Sequence, residues 1–134
     1  MISRSFLNDM VNEINILMER VRKFSEVREW GQFHNPKDLA IALVLEANEV
    51  LELFRFKQES DFVCEKEIAK ELADVLNIVL RMADVLGIDL IYWFDQKMRE
   101  NEQKYPVEHC CGKNLKYNEI NKEINKELNC SEEK

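Results

Sequence analysis

An all-α, four-helix-type bundle is what this sequence predicts, on three observations. Turn residues are scarce, with three Gly and two Pro in 134 residues, which argues for long helices over many short strands. Apolar residues recur at spacings of three and four, and no stretch alternates as a strand does. Helix-capping residues stand at the ends of the periodic segments.

The first helix is expected over residues 6 to 28, where Phe6, Met10, Ile14, Leu17, Met18, Val21 and Phe24 trace one face. Gly31 closes that region. Asn35-Pro36 is a helix start, with Asn as N-cap and Pro at the first helical position. The segment that follows, LAIALVLEANEVLELF, is apolar on most sides, and the second helix is expected to run to about residue 56. Ser60-Asp61 offers the third start, and that helix should end near Leu86 with Gly87 as its cap. Asp89 can cap a fourth helix that runs to about Lys104, where Tyr105-Pro106 stops it. The polar C-terminal tail, NEINKEINKELNCSEEK, reads as a short amphipathic helix or a frayed segment, with partial disorder expected over its last ten residues.

The chain is 46% hydrophobic and 34% charged, enough to build a core and stay in solution. Its formal net charge of −7 is the wrong sign for a nucleic-acid polymer surface. Charges interrupt every apolar run before membrane-span length. The N-terminus, MISRSFLNDMVNEIN, lacks the basic-then-apolar order of a secretory leader, so a cytoplasmic protein is expected. Cys64, Cys110, Cys111 and Cys130 show no two-residue gap, and His34 and His109 are the only histidines. That pattern reads as reduced thiols, with little basis for zinc at His109-Cys110-Cys111.

The chemistry concentrates in two carboxylate pairs, Glu46 with Glu49 and Glu71 with Asp74. At about 100° per residue, Leu39, Ala42 and Leu53 lie within about 40° of Glu46, and Val75, Ile78, Met82 and Val85 within about 40° of Glu71. Both pairs therefore interrupt the stripes that should face the bundle interior. Cationic partners are scarce on those faces, since Lys70 and Arg81 point about 80–100° away from Glu71. Facing carboxylates would repel one another and raise their pKa values. A divalent cation removes these costs, and an all-oxygen ligand set favours magnesium first and manganese second. A splayed bundle with hydrated carboxylates also accommodates the pattern. A di-iron bundle would need Glu-x-x-His pairs, which the chain lacks.

The two motifs, Glu46-Ala-Asn-Glu49 and Glu71-Leu-Ala-Asp74, set in LVLEANEVLELF and KELADVL, resemble the signature of the MazG-type all-α nucleoside triphosphate pyrophosphohydrolases. The flanks REWGQFHNPKDLAIAL, LFRFK and KMRENEQKYP are most similar to the dCTP pyrophosphatase branch. The resemblance covers about residues 10 to 118 and implies a single domain over 1–118, with 119–134 as a tail. It also implies magnesium-dependent cleavage of dCTP or a related (d)NTP to the nucleoside monophosphate and pyrophosphate, and a homo-oligomer, a tetramer in the first instance. By that resemblance Glu46, Glu49, Glu71 and Asp74 hold the metal, and Glu49, or alternatively Glu52, takes the proton. Lys97 and Asn101 face the nucleotide, Tyr105 lies beside the phosphates, and Trp30, His34 and Phe56 line the base and sugar pocket. Phe33 reads as a packing residue. Phe56 and Ile78 stand where that branch carries Trp and Tyr, which leaves dUTP or a modified nucleotide open as substrate. A noncatalytic helical interaction module is the alternative of a different class.

Overall fold

The computed structural model describes residues 4–132, with side chains over 13–126. Six α-helices and one 3₁₀ turn make up its regular structure: α1 (Arg4–Glu26), the turn Trp30–Phe33, α2 (Pro36–Glu52), α3 (Glu65–Leu86), α4 (Leu90–Lys104), α5 (Val107–Cys110) and α6 (Tyr117–Glu132). Among the described residues there is no strand, so the chain is all-α as its spacing predicts. None of the described helices is long and apolar enough to cross a membrane.

The chain divides into two compact units, Met1–Asp89 and Leu90–Lys134. In the first unit α3 is the common partner, packing on both α1 and α2. Leu39 of α2 and Leu80 and Ala83 of α3 are its buried apolar residues. On α1, Ile14, Leu17, Met18 and Val21 are half-buried while Phe24 is exposed. The side chains of Phe6 and Met10, assigned to the same stripe, lie outside the described residues.

The predicted α2 start is present: the Asn35 side chain accepts the Asp38 backbone N–H at 3.0 Å, and Pro36 opens the helix. The end of α3 also follows expectation. Gly87 adopts φ 64°, where a Cβ would be strained, and Ile88 N–H closes onto the Ala83 carbonyl.

Two boundaries differ from the sequence reading. α3 begins at Glu65, not at Ser60-Asp61, because Asp61 is consumed by its own turn. Its carboxylate accepts the Gln58 N–H at 2.7 Å while its N–H bonds the Gln58 carbonyl. α2 ends at Glu52 instead of continuing to residue 56. The chain leaves through a turn in which Phe56 has φ 59°, an uncommon conformation for a residue with a bulky side chain.

In the second unit α4 starts directly after Asp89 and ends at Lys104. The tail is helical from Tyr117 to Glu132, the helical one of the two readings its sequence allowed. Ile120, 1% exposed, anchors this helix, and Ile124 follows one turn later in a half-buried position. The Lys116 N–H bonds the Glu119 carboxylate at 2.8 Å, and Lys113 pairs with Glu123. Residues 133–134 lie outside the description. Cys64, Cys110 and Cys111 are free thiols, and the Cys130 side chain is again outside it.

Leu39 and Asn35 test these assignments. Leu39→Ala should cost ~2–5 kcal/mol through a cavity in the core. Asn35→Ala should cost ~1 kcal/mol through loss of the cap. Urea unfolding followed by circular dichroism measures both.

Candidate active site

α2 and α3 pack side by side, and their carboxylates meet where they do. One oxygen each of Glu46, Glu71 and Asp74 lies within 4.8 Å of the others. Glu46 and Glu71 are half-buried and Asp74 is exposed. Glu49 is exposed and stands outside this set of three. The carboxylates therefore sit at the rim of the α2–α3 seam and are less enclosed than the stripe reading implied. The physical reason is the ~60° step between residues three apart, which turns Glu49 and Asp74 toward solvent when Glu46 and Glu71 face the seam.

The electrostatics follow from this crowding. Burial, then Asp74, Glu49 and Glu71 in that order, push the Glu46 carboxyl above its usual range. Among the described residues no ion pair neutralises Glu46, Glu71 or Asp74. Arg81, the nearest sequence candidate, is committed elsewhere. Converging oxygen donors with uncompensated negative charge suit a hard divalent cation. Glu52 differs from its neighbours, because Arg55 pairs with both of its oxygens at 3.1 and 3.2 Å.

The same face of α3 continues away from the carboxylates. Asp74, Ile78 and Arg81 fall within about 60° of one another, and Arg81 lies about 10 Å along the axis from Asp74. A small cavity of about 70 Å³ opens there, with Phe24, Trp30, His34, Asn77, Ile78 and Arg81 in its wall. A larger cleft of about 350 Å³ between α1 and α3 shares Val21, Phe24 and Asn77 with it.

Trp30 and His34 are brought together in the structure. The Trp30 ring meets Phe24 edge-on at 5.6 Å and His34 at 6.4 Å. Gly31 and His34 close the turn through a backbone hydrogen bond of 3.2 Å. Phe33 is 61% exposed, so it is not the core plug that was expected. Its position in the 3₁₀ turn points it off the apolar face. Phe56 is 92% exposed in the turn after α2, at the far end of that helix from Trp30, with the Arg55 guanidinium over its ring. Lys97 and Asn101 share one face of α4 in the second unit, and Tyr105 follows them at the helix end. Lys97 is paired with Glu100 at 2.8 Å, which lowers the Glu100 pKa, and Tyr105 meets Tyr117 edge-on at 6.2 Å.

Sequence reasoning missed a polar network behind His34. Arg81 Nε donates to His34 Nδ1 at 2.8 Å, and Arg81 Nη1 donates to Asp84 Oδ2 at 2.8 Å. Arg22 of α1 donates to Asp84 Oδ1 through Nε at 3.0 Å and through Nη2. The available signal was the placement of Arg81 and Asp84 three residues apart within the apolar end of α3, where charges are expensive unless paired.

The MazG-like family matches residues 41–120 of the chain. The chain is 36% identical over 105 residues to dCTP pyrophosphatase 1 of Mus musculus and 31% identical to that of Homo sapiens. Each match covers 73% of this chain and 62% of the relative, so the chain spans under two thirds of their length. Among solved structures it is similar to a pyrophosphatase from Archaeoglobus fulgidus, with a TM-score of 0.63 and 35% identity. That match covers 70% of this chain and 93% of the other.

Metal-free protein should report the carboxylate crowding directly. A raised Glu46 pKa means the folded state binds the proton more tightly than the unfolded one. Its stabilising effect is therefore complete below the ordinary Glu range and is lost as pH rises through the raised value. Glu46→Gln should then melt at the same or a higher temperature than wild type in chelator at neutral pH. Magnesium at one hundred times its dissociation constant should add about 2.7 kcal/mol to wild type and less to the variant. Thermal melts with and without chelator measure both.

Proposed function

The chain belongs to the MazG-like family, and on that premise we propose that it is a magnesium-dependent nucleoside triphosphate pyrophosphohydrolase. Its substrate is dCTP or a related (d)NTP, and its products are the nucleoside monophosphate and pyrophosphate. The carrying observation is that Asp74, a member of the Glu46–Glu71–Asp74 cluster, shares a face of α3 with Arg81, which stands about 10 Å further along the axis in the wall of the cavity with Trp30 and His34. That separation suits a ligand with a polyanionic end and a flat polar end. The relatives' printed activity supports the same reading.

Glu46, Glu71 and Asp74 would hold the cation, with Glu49 beside them. Bound magnesium supplies the positive charge that a triphosphate needs to approach four carboxylates, and the Lewis acidity that phosphoryl chemistry uses. Water attacks the α-phosphorus, the bond to the α–β bridging oxygen breaks, and pyrophosphate leaves with that oxygen. Glu49 takes the proton from the attacking water in this reading. It is preferred over Glu52, whose oxygens are occupied by Arg55. Trp30 and His34 take the base and sugar side. Lys97, Asn101 and Tyr105 are assigned to the nucleotide and its phosphates on the resemblance, with Lys97 as a point charge.

A homo-oligomer, with a tetramer favoured, belongs to the same proposal. Ile41, Val44, Leu45 and Leu51 form an apolar stripe along α2, each more than half exposed in the single chain. A stripe of this spacing is suited to a second helix, and a second copy of this chain is the occupant assigned to it. Phe56, in a left-handed turn at the open end of α2, would then complete a neighbour's pocket. Ile78 and Phe56 favour a second substrate reading, dUTP or a modified nucleotide, because neither offers a polar group to a base.

Four measurements test this. A panel of triphosphates with magnesium should release pyrophosphate and monophosphate, read by ³¹P NMR. Release of inorganic phosphate alone, or no turnover on any member, would sink the proposal and leave the noncatalytic module. Glu46→Gln and Asp74→Asn should abolish turnover while keeping the helical circular dichroism. Inactive Trp30→Ala and Phe56→Ala proteins, mixed under conditions of proven subunit exchange, should regain activity. Light scattering should show an oligomer, and a monodisperse monomer at micromolar concentration would refute it.

A further inference from the structure

We propose that Arg81 is a positioning residue which fixes His34 as a neutral hydrogen-bond donor, so that this wall of the pocket selects an acceptor atom on the ligand. The proposal rests on the reading of this cavity as the nucleoside end of the site, and it adds the residue that sets its polarity. The acceptor class is a ring nitrogen or carbonyl of the base, or a sugar oxygen.

The geometry carries it. A guanidinium has only donors and does not lose its proton at working pH. Arg81 Nε stands 2.8 Å from His34 Nδ1, so that nitrogen presents its lone pair. The ring proton must then reside on Nε2. A second ring proton would face Arg81 across the same 2.8 Å. In accord with this, burial and then the Arg81 charge hold His34 below its usual pKa. The charged group bonded to the ring is Arg81, with Asp84 of α3 and then Arg22 of α1 behind it.

Arg81 cannot turn away without a loss. Its side chain and that of Asp84 are each only 10% exposed, and the pair is joined at 2.8 Å. Asp84 is in turn gripped by Arg22. On the other side the turn at Gly31 passes close to the guanidinium, since a Cβ built there would lie 3.9 Å from Nη2. Trp30 packs edge-on against the imidazole, with 74° between the ring planes. The result is an imidazole with one orientation and one tautomer. A ligand atom that accepts from Nε2–H gains a bond, and a ligand presenting a donor leaves two donors facing each other.

The test is ¹⁵N NMR of the full chain, whose two histidines make assignment simple with a His109→Gln control. Wild type should show an unprotonated Nδ1 and a protonated Nε2 at His34, with a ¹⁵N–¹⁵N coupling across the hydrogen bond to Arg81 Nε. Titration with deoxycytidine monophosphate should shift the Nε2–H signal. Arg81→Met should lose the coupling, mix the tautomers and raise KM roughly tenfold, the equivalent of about one hydrogen bond, with kcat changed far less. Arg81→Lys, which keeps a cationic donor, should restore most of the KM. A protonated Nδ1 in wild type overturns the proposal, and that measurement needs no variant to fold. So does an Arg81→Met protein with unchanged tautomer and KM. A present coupling with no Nε2–H response to the nucleotide overturns the ligand assignment. Failure of the hydrolytic reading is distinct: it appears as absent turnover with the wild-type coupling intact.

Discussion

Asp84 accepts hydrogen bonds from two guanidiniums at once, and the geometry of the first unit depends on it. Arg22 reaches it from α1 and Arg81 from one turn earlier on α3. A carboxylate so little exposed would be costly if it stood alone, and so would Arg81. Together they satisfy each other and hold the α1–α3 pairing in one register. Arg81 has a further donor to spend, and it goes to His34. The loop between α1 and α2 is thereby tied to α3 by a charged network, whereas α2 is tied to it by Leu39, Leu80 and Ala83. Apolar packing fixes which helices meet; the network fixes where one ring points.

α3 carries opposite electrostatic problems at different points along its length. Near its start, Glu71 and Asp74 meet Glu46 with no cation among the described residues to balance them. Seven residues beyond Asp74, Arg81 is neutralised by Asp84. The first is an imbalance that a bound ion relieves; the second is complete within the protein. A helix that leaves charge uncompensated at one end and builds a fully paired network at the other separates a metal-binding task from a shape-and-polarity task. The apolar surface follows a similar division. Leu39 is buried on α2, yet Ile41, Val44, Leu45 and Leu51 of the same helix remain exposed. The helix is apolar all round because it has more than one face to satisfy.

The sequence by itself determined the helical class, the capped start of α2 at Asn35-Pro36 and the Gly87 stop of α3, since each depends on residues within one turn of one another. It also determined which carboxylates would be of interest, because a charge inside an apolar stripe is visible from spacing alone. Placement of the α3 start was not determined, because Asp61 is equally able to cap a helix or close a turn with Gln58, and neighbours beyond the local segment decide between them. The helix of the tail was left open for a related reason. Burial of Ile120 depends on where the chain turns after Cys110, and composition carries no record of that turn. Only tertiary structure decided that Glu46, Glu71 and Asp74 converge while Glu49 stays outside, because the relative rotation of two packed helices is fixed by their contacts and not by either sequence. It alone disclosed that Arg81 serves His34 and Asp84, residues 47 and three positions away. A side chain's partner is chosen by what the folded chain places within 3 Å, and for long-range pairs the sequence holds no distance.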